Sequence, residues 1–119
     1  MSNTKIYLFN QNNSGGSFDT HDLLCHRVGI EAASRQEAND TAEDIGIYFY
    51  GIEDGLDCPC CGDRWYPVSE YDTIDKEGAV EHLQKLADGH GWPDKDGVDA
   101  RIIYLDGTVK EIKVREKSN

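Results

Sequence analysis

Residues 101–114 read Arg-Ile-Ile-Tyr-Leu-Asp-Gly-Thr-Val-Lys-Glu-Ile-Lys-Val. Two apolar runs, Arg101–Leu105 and Val109–Val114, flank Asp106-Gly107. Asp-Gly suits the left-handed backbone of a tight turn, so the stretch predicts a β-hairpin. Working backwards, Lys76 to Asp88 places Val80, Leu83 and Ala87 on one helical face, with Gly89 or Gly91 to close the helix. Ser34-Arg35-Gln36-Glu37 fits a capping box, in which Ser and Glu satisfy free amides at a helix start. Ala38, Ala42 and Ile45 follow at helical spacing, and Gly46 can end that helix.

Three further strands are expected. Lys5–Gln11 is apolar on both faces, as in a buried strand. Leu23–Ala32 alternates as a half-buried strand does. Leu24, His26, Val28, Ile30 and Ala32 share one face, and Cys25 lies opposite with Arg27 and Glu31. Ile47–Ile52 is apolar and aromatic and reads as the third. The predicted order is β-β-α-β-(Cys turn)-α-β-β, with the turn over Glu53–Trp65. The fold class is therefore α+β, with two helices on a mostly antiparallel sheet. The 119 residues suit one domain over 1–119 and can bury a core unaided.

Acids outnumber bases 23 to 12, for a net charge of -11. That excludes a general nucleic-acid coat, which needs a basic footprint. No apolar run approaches the roughly 20 residues of a membrane span. The start MSNTKIYLFNQ has no long apolar core or small-residue cleavage site, so a cytoplasmic chain is expected. Gln36 to Asp63 holds eight acids and no Lys or Arg. Such a stretch reads as a solvated face, or as a surface that meets a basic partner.

Asp57-Cys58-Pro59-Cys60-Cys61-Gly62 contains C-P-x-C-G. Two thiolates two residues apart can hold one metal ion from a tight turn, as in half of a zinc site. Cys58 and Cys61 are the expected ligands, Cys25 the preferred third, and zinc the candidate cofactor. Reduced thiols holding a turn are the alternative, and redox chemistry a further one.

Asn12-Asn13-Ser14-Gly15-Gly16-Ser17 follows the first strand. Its glycines let backbone amides turn towards a ligand, as in an anion-binding nest. The loop lacks the spacing of a Walker or dinucleotide motif. Arg64-Trp65-Tyr66 adds a planar donor fork and two aromatic faces. With Arg27, these residues make a candidate cradle for a small anionic ligand. An ordinary loop beside a core Trp is the plainer reading. No catalytic residues can be singled out, and a non-enzymatic role is expected.

The segments IYLFNQNNSGGSF and DCPCCGDRWYP, with IEAASRQEANDTAEDIGIYF between them, resemble small accessory proteins encoded by tailed bacteriophages. The resemblance covers about Lys5 to Pro67 and carries over no catalytic residues. It implies an infected bacterial cytoplasm and an anti-defence role. There the chain would sequester a small signalling nucleotide, or bind a basic host protein as an inhibitor or adaptor. A homo-oligomer is compatible with either.

Overall fold

The computed structural model describes residues 4–11, 23–50, 53, 55, 65–90 and 97–114. Five strands form one mixed sheet: β1 (Lys5–Asn10), β2 (Arg27–Ala32), β3 (Thr73–Ile74), β4 (Val98–Ile103) and β5 (Val109–Lys113). The spatial order is β3-β1-β2-β4-β5, and only β2 and β4 run parallel. Helices α1 (Arg35–Asp44) and α2 (Ala79–His90) complete an α+β fold.

Each helix covers a different face of the sheet. Ala38 and Ala42 of α1 pack with Tyr7, Phe9, Val28 and Ile30. Ala79, Leu83 and Ala87 of α2 pack with Ile6, Ala100, Ile102 and Ile112. The β1–β2 register sets Tyr7 beside Ile30 and Phe9 beside Val28 on one face. Strand β2 is therefore buried on both sides, and all six of its residues are buried. The expected half-buried strand is corrected on this point, because its alternation described two covered faces.

Gly29 lies at the centre of this arrangement. A Cβ there would sit 2.7 Å from Ile6 Cγ2 and 3.6 Å from Ile102 Cγ1. Ile6 is fully buried and stiff at χ1, so it cannot swing aside. Gly29→Ala is expected to destabilise the fold by about 1–3 kcal/mol, read from urea unfolding.

Local signals explain most elements. The Ser34 hydroxyl accepts from the Glu37 N–H at 3.2 Å and caps α1. Gly46, at φ +106°, carries the chain away after it. A 3-10 turn over Lys76–Gly78 leads into α2. That helix runs on through Gly89 to His90, so Gly89 does not close it, and Gly91 lies outside the described residues. The hairpin turns at Gly107, at φ +91°, with Asp106 Oδ1 accepting from the Thr108 N–H and hydroxyl at 3.0 and 2.6 Å.

The third predicted strand is also corrected. Residues 47–50 form no strand. The Ile47 N–H bonds back to the Ala42 carbonyl at 3.0 Å, which inserts Ile47 into the core as the chain leaves α1. Phe49 stacks on Phe9, with ring centroids 6.2 Å apart. The apolar run is thus a cover over the core. The outer edge of β1 takes Thr73–Ile74, after the Cys turn. Strand β2 starts at Arg27 rather than Leu23, so the expected alternation does not extend to Cys25. Cys25 belongs to the apolar cluster on the α1 side. Strand β4 starts at Val98 rather than Arg101 and carries a bulge between Val98 and Ala100. Among the described residues, no helix is long and apolar enough to cross a membrane.

Candidate functional site

The bulge in β4 shapes the first polar cluster. An extra residue in one strand re-aims a side chain, and here that residue is Asp99, with no solvent exposure. Its carboxylate lies 2.9 Å from His26 Nδ1 and 2.5 Å from Arg27 Nη1. Arg101 donates to Glu111 from Nε and Nη2, at 3.3 and 3.1 Å. Its Nη1 reaches the Leu24 carbonyl at 3.4 Å. Buried charge is tolerated when it is paired and hydrogen-bonded, and these pairs meet that demand.

The structure shows the surroundings of three expected site residues. Arg27 is buried against Asp99, and its guanidinium pairs with this core carboxylate. Cys25 is fully buried, and its Sγ donates to the Arg27 carbonyl at 3.1 Å. Among the described residues, no group of three His, Cys, Asp or Glu is placed to hold a metal ion. Trp65 is fully buried in the cluster that also holds Cys25 and Leu24, so it offers no stacking face. Its Nε1 has no hydrogen-bond partner among the described residues. Tyr66, 54% exposed, is the aromatic face this segment presents.

Asn12, Asn13, Ser14, Gly15, Gly16, Ser17, Cys58, Cys61 and Arg64 lie outside the described residues. The loop and Arg64 of the expected cradle thus lie there as well. Asn10 and Tyr66, beside those segments, line one recess. Gln11 donates from Nε2 to the Cys25 carbonyl at 3.0 Å, and Cys25 shares its buried cluster with Trp65.

The second feature is a groove along α1. Ala38 and Ala42 are buried, which leaves Glu37, Asp40, Glu43 and Asp44 exposed on the helix. No basic residue sits in its last turn, so two carboxylates add to the negative end of the helix dipole. Asn39 clamps the neighbouring segment: Nδ2 donates to the Val68 carbonyl at 3.3 Å, and Oδ1 accepts from the Val68 N–H at 3.0 Å. The clamp leaves a groove of about 320 Å³ between Gln36, Asp40 and Glu43 on one wall and Phe49 and Pro67 on the other, with Arg35 also on its lining. A recess of about 180 Å³ shares Pro67 and Val68 with it and is lined by Tyr66. Tyr50, 58% exposed, holds φ +59°, an uncommon conformation for a bulky side chain.

The third feature lies at the carboxyl ends of the parallel pair β2 and β4, a favoured ligand position in sheets with parallel strands. A cavity of about 470 Å³ is lined by Glu31, Lys76, Tyr104, Leu105 and Asp106. Glu31 is only 5% exposed. Its carboxylate accepts from the Thr4 hydroxyl at 2.5 Å and the Leu105 N–H at 3.0 Å. Lys76 Nζ lies 3.2 Å away and sits 5.7 Å from the Tyr104 ring centroid. The Thr4 hydroxyl, then the Leu105 N–H, hold Glu31 below the ordinary carboxylate pKa against the effect of burial, and Lys76 adds to the lowering. A lowered folded pKa gives stability that is full above the ordinary carboxylate value and is lost as pH falls through the lower folded value. Glu31→Gln is expected to flatten that part of the acid limb in a plot of unfolding free energy against pH.

Sequence reasoning reached the acids of α1 but missed Asn39, Phe49 and Pro67, whose roles come from contacts between distant segments. It also missed the Glu31 cavity. The available signal was a carboxylate inside the apolar run Val28–Ala32. No curated protein and no solved structure matches the chain significantly. Residues 4–118 match the family model described as a domain of unknown function (DUF7296), and the chain, with this mixed sheet and its bulge-centred ionic cluster, belongs to that family.

Proposed function

We propose that this chain is a non-enzymatic binding protein whose acidic α1 groove docks a basic segment of a partner protein. The observation that carries this reading is the clamp of Asn39 on Val68, which sets carboxylates opposite an apolar wall. Lys and Arg side chains combine an apolar stem with a charged head, and a groove of this kind suits both parts. The net charge of -11 would speed encounter with such a partner. The resemblance to tailed-phage accessory proteins supplies a setting, a host protein in an infected bacterial cytoplasm.

Fluorescence anisotropy with an Arg-rich peptide of about 12 residues tests the reading. The double variant Asp40→Lys, Glu43→Lys is expected to weaken binding by about tenfold or more, less so at high salt. Reversal of both Glu77 and Glu81, exposed just before and on α2, provides the charge-matched control. Equal losses from the two reversals would show attraction by net charge alone and would sink the groove.

Sequestration of a small anionic nucleotide is the second reading. It draws on the exposed Tyr66 ring beside Trp65, whose buried Nε1 lacks an acceptor among the described residues. Arg27 is engaged with Asp99, so Arg64 is the charged contact this reading tests. A thermal-shift panel of nucleotides separates the readings. A ligand at 100 times its dissociation constant adds about 2.7 kcal/mol. No shift at millimolar nucleotide ends the second reading, and loss of a shift in Arg64→Ala supports it.

A further inference from the structure

The Glu31 cavity lies apart from the α1 groove, and its chemistry is distinct. The Glu31 carboxylate is fixed by two neutral donors, Thr4 Oγ1 and the Leu105 N–H. Neither donor neutralises it, and a buried carboxylate needs a cation. Lys76 supplies one from a short 3-10 turn, with its side chain 50% exposed. The ammonium rests on the carboxylate and lies within cation–π range of Tyr104. The cavity therefore already shows how it binds an ammonium group, using one from the chain itself.

We propose that this cavity binds a small aliphatic polyammonium ion, and that Lys76 holds the place of one of its ammonium groups. A second cavity, of about 430 Å³, shares Lys76 with the first and is lined by Thr4, Asp75 and Glu77. Carboxylates thus stand on both sides of Lys76: Glu31 and Asp106 in one cavity, Asp75 and Glu77 in the other. Asp106 stays ionised, because the Thr108 hydroxyl and N–H hold its pKa low. A ligand with several ammonium groups on a flexible chain can meet carboxylates in both cavities at once. A divalent metal fits poorly, since no three carboxylate, His or Cys ligands converge among the described residues. Tyr104 also favours an organic cation, whose charge can approach the ring without a tightly held water shell.

The place-holder role makes a prediction that net charge alone does not. Removing Lys76 should strengthen binding, because the ligand then displaces nothing. Lys85 is the control: it is exposed on α2, paired only loosely with Glu81 at 3.7 Å, and its loss changes the net charge by the same amount. Calorimetry with spermidine at fixed ionic strength reads the effect. Lys76→Met is expected to bind spermidine about tenfold more tightly than the wild type, and Lys85→Met to match the wild type within about twofold. In the Lys76→Met background, Tyr104→Leu and Asp106→Asn should each weaken binding by about fivefold or more. Neither of these two alters a buried charge; Lys76→Met itself leaves Glu31 without its ammonium, so that variant should melt below the wild type and spermidine should restore its melting temperature. Equal gains from Lys76→Met and Lys85→Met would overturn the proposal, as would no saturable binding by Lys76→Met at millimolar spermidine. Failure here leaves the α1 groove untouched, since its test uses a different probe and different residues.

Discussion

Replacing Asp99 with alanine is expected to lower the unfolding free energy by about 3–5 kcal/mol, the range for breaking a buried pair by removing one partner. Asp99 is fully buried and receives both His26 and Arg27. Its loss leaves the buried Arg27 guanidinium without that carboxylate. The bulge would then point a methyl group at a cation. Guanidinium unfolding of the variant checks the size of the loss. Arg27→Met in the same background is expected to recover part of it, because the buried guanidinium that lost Asp99 is gone. The two losses should therefore be non-additive by at least about 1 kcal/mol in a double-mutant cycle. A loss below about 1 kcal/mol in Asp99→Ala would show that the cluster does not hold β2 to β4.

Trp65→Ala is expected to destabilise the fold by about 3–5 kcal/mol, the range for deleting a large buried aromatic. Trp65 is among the largest fully buried side chains and sits in the cluster beneath α1. Trp65→Phe should cost much less, about 1 kcal/mol, because Nε1 makes no hydrogen bond among the described residues that could be lost. A solvent-facing stacking residue would behave differently, with near-normal stability in both variants. Thermal unfolding of the pair therefore decides between a core Trp and a ligand-facing one. The same series with Tyr66→Ala should move stability by less than about 0.5 kcal/mol, since that ring is 54% exposed.

Much of the fold was legible because local chemistry and tertiary packing agree along most of the chain. Ser34 caps α1, Asp106-Gly107 turns the hairpin, and Val80, Leu83 and Ala87 mark the inner side of α2. The misread elements share one cause. Ile47–Ile52 has the composition of a strand, but a strand needs a free edge, and β1 gives its outer edge to Thr73–Ile74. Phe49 stacks on Phe9 instead. Alternation along Leu23–Ala32 pointed to one wet face. Nothing local signals that a second helix, more than 40 residues later in the chain, will cover that face.

The candidate site divides in the same way. The acidity of α1 follows from composition and a helical register, so sequence alone exposes Glu37, Asp40, Glu43 and Asp44. Whether an arginine faces a ligand or a buried carboxylate depends on which strand lies next to it. Arg27 meets Asp99 across 72 residues of chain, through a bulge that no local motif announces. The Glu31 cavity likewise brings together the start of β1, the turn before α2 and the β4–β5 hairpin. Sequence by itself determined the helices, the hairpin, the acidic face and the α+β class, because capping, turn chemistry and periodicity act over a few residues. Only the tertiary structure decided which charges are paired, which aromatics are buried and where the cavities open, because those outcomes depend on strand order and on groups brought together from distant parts of the chain.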